Sequence, residues 1–522
     1  MYIGRKTLYT DVPGITYDNV LDVVRKAIGG HEENAARIDY LLRYEAGEQP
    51  LLRVKKYRAD INIETNDNVA NEITNFNIGF KWSQSINLVQ RGEKDSGTED
   101  ESLAISLLNE QYESENIRAK TQKLGRFVEV GAIGYTYVNV NNDIEGNNEN
   151  GDSYFKVEAL DPRTTFVIRS SYYIDQRIML AVTFRKDSQG NRFFTCFSKD
   201  RRFEIKNLME INNGEVVPKE KSTWWHDVRS GEENPLHMIP IVEWFISFDR
   251  LGCFERQIPE MNALNIAVSD FFNDIDQNTQ AIFHANDIEF PKDPDGNEQH
   301  PKTNDWVVTN TTQDGKTPFI NPIAISYDYS GMLANISYRR NMILQKCNIP
   351  TRNDNSGGST GIAMDTATGW NAAETAASSQ QNIMESCKME EVKIVLRAIK
   401  ISPFVPQNSP LLKLKPSDVQ PSIKRSKNYE MSVKTSALAN MLSHGIYGLH
   451  ALKTINLFDD VSQVWTDSKE LIKKYQNSIF DKSNGNNAEE TPQNTDGGIE
   501  AQISNSPLID GMSDEKPTET ED

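Results

Sequence analysis

The tetrapeptide Asp314-Gly-Lys-Thr317 holds the lysine and hydroxyl that a phosphate-binding loop uses. Such a loop also needs a glycine five residues before Gly315, so that the backbone can wrap the phosphates. That position is Asn310, and the tetrapeptide reads as a surface turn. The seven histidines form no His-Glu-x-x-His pair, and His284 and His300 flank a stretch with no companion cysteines, so no metal-ligand set is legible. There is no Gly-x-Ser-x-Gly elbow, no cysteine–histidine arrangement that spacing supports, and no carboxylate pair singled out for acid–base work. Cys196, Cys253, Cys347 and Cys387 are too widely spaced for a Cys-x-x-Cys site and read as buried or half-buried free thiols. No catalytic residue, metal or cofactor is legible; these residues do not exclude an enzyme, and the expectation that the protein is not one rests on the order of elements described below.

Binding to nucleic acid would use a different set of residues. Basic residues cluster at Arg53-Val-Lys-Lys-Tyr-Arg58, which is either a solvated face or a phosphate contact. The net charge of −19 opposes tight phosphate binding over a broad surface. Nearly half of it is local: Asp481–Asp522 carries eleven acids against two lysines, leaving −10 for the rest. The run Thr351, Arg352, Asn353, Asp354, Asn355, Ser356, Gly357, Gly358 follows a proline stop at Pro350 and precedes a helix, so it is a loop. Its glycines free the backbone, and its short polar side chains can meet phosphates and water without stacking into bases. Arg352 is its only cation, and it either touches phosphate or pairs with Asp354 or a neighbouring subunit's acid.

Elements must position these residues. The 522 residues exceed one compact core, and no apolar run approaches the roughly 20 residues that cross a bilayer. Met238–Ile246 comes nearest and contains Glu243; the N-terminus has no signal-peptide core, so a soluble protein is expected. Helices are predicted over 15–46, 68–77 and, as one long piece, 100–130. Alternating residues then predict strands at 135–140, 154–160, 164–169, 178–185 and 192–197, so 130–245 reads as an antiparallel sheet packed by the earlier helices. From Phe254 the period lengthens: Phe254, Ile258, Met261, Asn265, Val268, Phe272, Ile275, Thr279 and Ile282 alternate steps of four and three. That is a heptad seam on a rod of about 37 Å ending near Phe283, packed lengthwise on other helices or set in an ordinary core. Residues 286–325, rich in Pro, Asp, Gly and Asn with a short strand at 306–309, read as a small subdomain between two helices, the second at 328–348. After a helix to Lys400, prolines at 403, 406 and 410 mark a linker; helices at 432–443 and 462–477 follow, and Asp481–Asp522 reads as disordered.

This order of elements carries a resemblance. The helix 328–348, Pro350, the polar loop, the entry Ser359-Thr-Gly-Ile-Ala363 and the alanine-rich helix to Lys400 resemble the tunnel-forming segment of the portal proteins of tailed bacteriophages, the siphophage type in particular. Tyr44-Glu-Ala-Gly47, then Asn66-Asp-Asn-Val-Ala-Asn-Glu-Ile73 and Gly79-Phe80, is similar to the family's turn, Asn-containing helix and glycine exit. Phe127-Val-Glu-Val-Gly-Ala-Ile-Gly-Tyr-Thr-Tyr137 is similar to its helix-to-strand passage. In place of the family's common Ser-Gly-Val-Ala entry stands Ser-Thr-Gly-Ile-Ala. The resemblance implies an α+β fold, helix-rich with a β-rich wing over 1–250. Stem helices then cover 251–285 and 326–349, around a clip at 286–325. A tunnel loop at 350–359 follows, with a tunnel helix at 360–400, a linker and helical crown at 401–480, and an acidic tail at 481–522.

The family implies a virion component at one capsid vertex, assembled in the host cytoplasm as a homo-oligomeric ring, usually of twelve subunits. Double-stranded DNA passes through its channel without sequence reading during packaging and ejection. Its partners are the terminase large subunit, head-completion, adaptor and tail proteins, and the major capsid or scaffolding protein; no membrane is involved. In that scheme Phe254, Ile258, Met261, Val268, Phe272, Ile275 and Ile282 pack the stem into a ring, and Asp293, Asp295 and Lys302 on the clip meet partners. An acidic channel suits a duplex that must slide, since walls that hold no phosphates lower friction. Two rival classes remain: another large virion structural or assembly protein, which would not close a ring, and a cytosolic enzyme with an unrecognised site, which would turn over as a monomer.

Overall fold

The computed structural model describes residues 4–51, 61–91, 99–146, 148, 151–188, 190–207, 209–212, 215–218, 224–226, 231–279, 282–286, 288, 292–297, 318–323, 328–351, 369–425, 431–455, 464–465, 468–475 and 477. They fall into two compact units, 1–427 and 428–522. The first unit opens with strand β1 (Leu8–Thr10) and helix α1 (Tyr17–Glu45), whose Val20, Val23, Val24 and Ala27 recur at helical spacing and form its buried face. Helix α2 (Val69–Asn77) runs into a wide turn at Ile78–Trp82, and β2 (Asn87–Gln90) follows. Two helices, α3 (Glu99–Ser114) and α4 (Ile117–Gly131), stand where one was expected. Asn116 sits at φ +53 between them, a left-handed conformation that asparagine tolerates and a continuous helix does not.

Strands β3 (Ile133–Val140) and β4 (Phe155–Leu160) pair antiparallel, and β13 (Ile241–Phe245) adds to the other edge of β3. A second sheet holds β5 (Thr165–Ser170), β6 (Ile178–Lys186), β7 (Arg192–Phe197) and β8 (Arg201–Asn207) in sequence order. β1 joins β5 in parallel, the one departure from the antiparallel expectation there, because the segment before α1 returns along that edge. Strands β9 (Met209–Asn212) and β10 (Glu215–Pro218) form a separate hairpin, while β11 (Trp224–His226) and β12 (Glu232–Glu233) both pair with β8.

Helix α5 (Ile258–Thr279) leads to β14 (Ile282–Asn286), which pairs antiparallel with β15 (Phe319–Ile323) before α6 (Tyr329–Lys346). The 32-residue α7 (Trp370–Ile401) then returns through the first unit, and β16 (Val419–Ser422) pairs with β2. The largest core lies where the second half of α7 (Met384, Val392, Val395, Ala398, Ile399) meets α3, α4 and the β3 sheet, with Trp82, Phe155 and Trp244 filling it. In the second unit, α8 (Met431–Ser443) matches expectation. It is followed by a helix the sequence reading did not anticipate, α9 (Gly448–Ile455); residues 468–475 are helical as expected.

The expected rod is therefore corrected at both ends. Phe254 precedes α5, separated from it by the 3₁₀ turn Glu255–Gln257, and Pro259 sits in the first helical turn. Ile282 is not on the seam helix: it opens β14, where it pairs with Ile323 and the chain turns from helix to ribbon. The strand expected at 306–309 lies outside the described residues, as does Asp314–Thr317.

Candidate functional site

The α5–α6 pair begins at a rigid base. Glycine is required at Gly252, since a Cβ there would lie 2.3 Å from the Val130 carbonyl oxygen. That close approach lets the Cys253 N–H donate to the Glu129 carbonyl at 2.7 Å. The Gly252 N–H donates to Glu255 Oε2 at 2.8 Å, and the same carboxylate forms a fully buried ion pair with Arg5. Phe254 is wholly buried and stacks on Tyr44 at 6.1 Å. Met261 and Leu264 on α5 and Ile343 and Leu344 on α6 close the same cluster.

The two helices run antiparallel. Glu260 near the start of α5 faces Lys346 (3.8 Å) and Arg339 (4.0 Å) near the end of α6, and Phe271 meets Tyr329 edge-on at 6.1 Å. Arg340 on α6 pairs with Asp67 at 2.8 Å and with Glu72, tying the pair to the start of α2. Beyond the base, the apolar residues turn outward. Phe272 and Ile275 on α5 are 44% and 40% exposed, and Leu333 and Tyr338 on α6 are 49% and 67% exposed.

Of the seam residues, Phe254 and Met261 are consumed in the base, Ile258 and Val268 pack at its edge, and Phe272 and Ile275 stand outside the core. Sequence reasoning counted Asn265 as one more seam position. It is buried, together with Ser269 and Asn273, beneath residues 61–67. The spacing Asn265-x3-Ser269-x3-Asn273, one polar residue per helical turn, was the signal available for this.

At the expected clip, Asp293 closes its own turn. Its Oδ1 accepts from the N–H groups of Asp295 (3.0 Å) and Asn297 (2.8 Å), with Gly296 at φ +87. Asp295 is exposed; Lys302 lies outside the described residues. Thr351 is half-buried, and Arg352, Asn353, Asp354, Asn355, Ser356, Gly357 and Gly358 lie outside the described residues.

The helix that follows that loop is firmly held. Gly369 takes φ +87 ahead of α7, and Trp370 packs on Phe76 and Phe80, each at 5.7 Å. Lys81, almost fully buried, reaches Gln380 Oε1 at 2.9 Å and Glu129 Oε1 at 2.7 Å, where Trp82 Nε1 also donates at 2.8 Å.

A groove of about 880 Å³ between β13 and α7 is lined by chemistry-bearing side chains, among them Arg169, Lys199, His237, Glu243 and Cys387. Burial would raise the Glu243 pKa, but the guanidiniums of Arg250 and Arg169, each 2.7 Å away, outweigh it and hold the carboxyl below its usual range. Burial pushes the Cys387 thiol up to about 12, so it is not a thiolate nucleophile at neutral pH. No group of three or more potential metal ligands occurs among the described residues. No helix among them is long and apolar enough to cross a membrane.

Residues 25–427 match the model of the family described as phage portal protein, SPP1 Gp6-like. The match ends at the boundary of the first compact unit, Lys427. No curated protein matches the chain.

Proposed function

This chain belongs to the SPP1 Gp6-like phage portal proteins, and from that premise we propose that it closes into a ring whose subunits meet along α5 and α6. Family membership makes it a virion component, a structural head–tail connector of a tailed bacteriophage. The observation that carries the ring is the outward apolar pair Phe272 and Ile275, which share one face of α5, beside the exposed Leu333 and Tyr338 at two other points of α6. An apolar pair on α5 and exposed apolar residues on the antiparallel α6 suit a heterologous contact that repeats around an axis and closes on itself. The ring encloses a channel through which double-stranded DNA passes, without sequence reading, in packaging and in ejection. Twelve subunits is the family's usual number.

Within that ring, Thr351–Gly358 forms the tunnel loop and Arg352 a sparse belt of positive charge that touches the duplex and releases it. Asp295 and Lys302, with the turn held by Asp293, offer the clip surface to the terminase large subunit and to head-completion, adaptor and tail proteins. Capsid or scaffolding protein meets the ring elsewhere. Residues 401–480 contribute the linker and helical crown.

Imaging of purified protein by negative stain tests the reading: rings with a central hole are expected, and strict monomers across all concentrations by light scattering overturn it. With rings in hand, Arg352→Glu tests the loop. It leaves the ring intact and lowers DNA packaged per capsid; packaging equal to wild type removes the loop from the mechanism.

A further inference from the structure

The least expected contact in the first unit is made by main chain on one side and side chains on the other. The Ile63 N–H donates to Asn273 Oδ1 at 2.8 Å, and Asn273 Nδ2 donates back to the Ile63 carbonyl at 3.0 Å. One turn earlier on α5, Ser269 Oγ accepts from the Thr65 N–H at 3.1 Å and donates to the Thr65 carbonyl at 3.0 Å. One turn earlier again, Asn265 Oδ1 accepts from the Asp67 N–H at 3.1 Å, and its Nδ2 donates to Gln49 Oε1 at 2.6 Å. All three side chains are buried, at 3%, 0% and 3% exposure for residues 265, 269 and 273.

The repeat is geometric. Four residues of helix advance about 6.0 Å, and two residues of extended chain advance about 6.6 Å. A side chain every fourth position on α5 can therefore meet every second residue of a strap running antiparallel to it: 67 on 265, 65 on 269, 63 on 273. An asparagine amide and a serine hydroxyl each both accept and donate, so each stands in for the peptide group of a missing neighbouring strand. Arg340 fastens the strap's other end through Asp67.

We propose that Asn265, Ser269 and Asn273 are positioning residues that lock the rotation and axial register of α5, and so decide that Phe272 and Ile275 face the neighbouring subunit. This rests on the ring reading above. A helix turned by one residue rotates about 100° and would bring Ile266, Asp270 and Asp274 under the strap. Isoleucine offers no bond, and an ionised aspartate cannot donate to the strap's carbonyls. Turned the other way, the helix would offer Leu264, Val268 and Phe272, which satisfy neither group. Only the observed phase pairs the main chain at 63 and 65, and it fixes the distal half of α5, beyond the turns that the base already holds.

Hydrogen exchange and native mass spectrometry on the full-length protein test this together. The double variant Ser269→Ala with Asn273→Ala should raise amide exchange at residues 63 and 65 at least tenfold. Its assemblies should lose the single subunit number of wild type, giving mixed sizes or falling to monomers. Asn273→Asp, which keeps the shape and the accepting oxygen but cannot donate, covers the case in which the double variant does not fold, and should fall between. Ser269→Thr keeps the hydroxyl and should restore both readouts. Two results overturn the proposal: wild-type amides at 63 and 65 that exchange at the rate of an open chain, or a released strap on rings of unchanged subunit number. A monomeric wild type with protected amides would instead overturn the ring reading.

Discussion

Helices α7 and α5 are both long, yet they use their apolar residues in opposite ways. The second half of α7 places Val392, Val395, Ala398 and Ile399 in the largest core, each essentially without exposure. On α5 only the first half does this, through Met261 and Leu264, and the second half leaves Phe272 and Ile275 in the open. The apolar face of α7 completes a core within the first unit. The distal face of α5 leaves Phe272 and Ile275 close to half exposed, with Phe272 edge-on to Phe271 at 5.5 Å, and on the ring reading the uncovered area is buried against a neighbouring subunit.

The largest expected effects separate these two uses. Phe254→Ala, at the buried base, should lower stability by about 3–5 kcal/mol, read by urea denaturation, because a large cavity opens where the surroundings are well packed. Glu255→Ala should lower it by a similar ~3–5 kcal/mol, since Arg5 is left buried without its counter-charge. Phe272→Asp with Ile275→Asp should leave protomer stability within about 0.5 kcal/mol and abolish assembly by light scattering. Assembly that survives the double aspartate, or stability that survives Phe254→Ala, would erase the distinction between the base and the distal half of α5.

A further effect belongs to α1 and the sheet it packs on. His31 on α1 stacks on Phe166 at 4.4 Å and its Nε2 lies 3.0 Å from the Arg163 carbonyl. Burial lowers its pKa to about 4, only partly opposed by the Arg163 carbonyl and Glu32; Arg192 and Lys186 add to the lowering. In the unfolded chain the imidazole titrates near 6.5. Between those values the unfolded state binds the extra proton, so stability is full above about pH 6.5 and falls as pH drops toward 4, by about 3 kcal/mol in all. Urea midpoints at pH 7, 5.5 and 4.5 should show this slope, and His31→Phe should flatten it while leaving assembly at pH 7 unchanged.

Much of the fold was legible because burial there follows periodicity. Helices predicted at 15–46 and 328–348 appear at Tyr17–Glu45 and Tyr329–Lys346, and five strands stand within two residues of their predicted positions. The break at Asn116 was hidden because both flanks have strong helix formers and the interruption lies in one backbone angle. Ile282 was misplaced because its spacing continues the seam by chance, whereas its partner Ile323 lies 41 residues away and no local pattern reveals it. The seam itself was half a reading of a monomer core and half of an exposed face, and spacing alone cannot distinguish them. Asn265 fell on the seam by number, yet its amide serves main chain, a use that only the path of residues 61–67 discloses.

The smallest expected effect tests the comparison at its finest point, between two adjacent residues. Arg256 follows Glu255 directly and pairs with Asp249, but both side chains of that pair are exposed, at 61% and 64%, whereas the Arg5–Glu255 pair is closed to water. Exposed pairs gain little, since solvent screens the charges and two long side chains must be held still. Arg256→Ala should therefore change stability by less than about 0.5 kcal/mol in 0.15 M salt, and raising the salt to 1 M should remove even that difference. Its neighbour's pair should keep most of its effect at 1 M salt, because no ions reach it. If Arg256→Ala costs as much as Glu255→Ala, the turn into α5 is held by surface charge, and the buried base is not what sets the direction in which α5 leaves it.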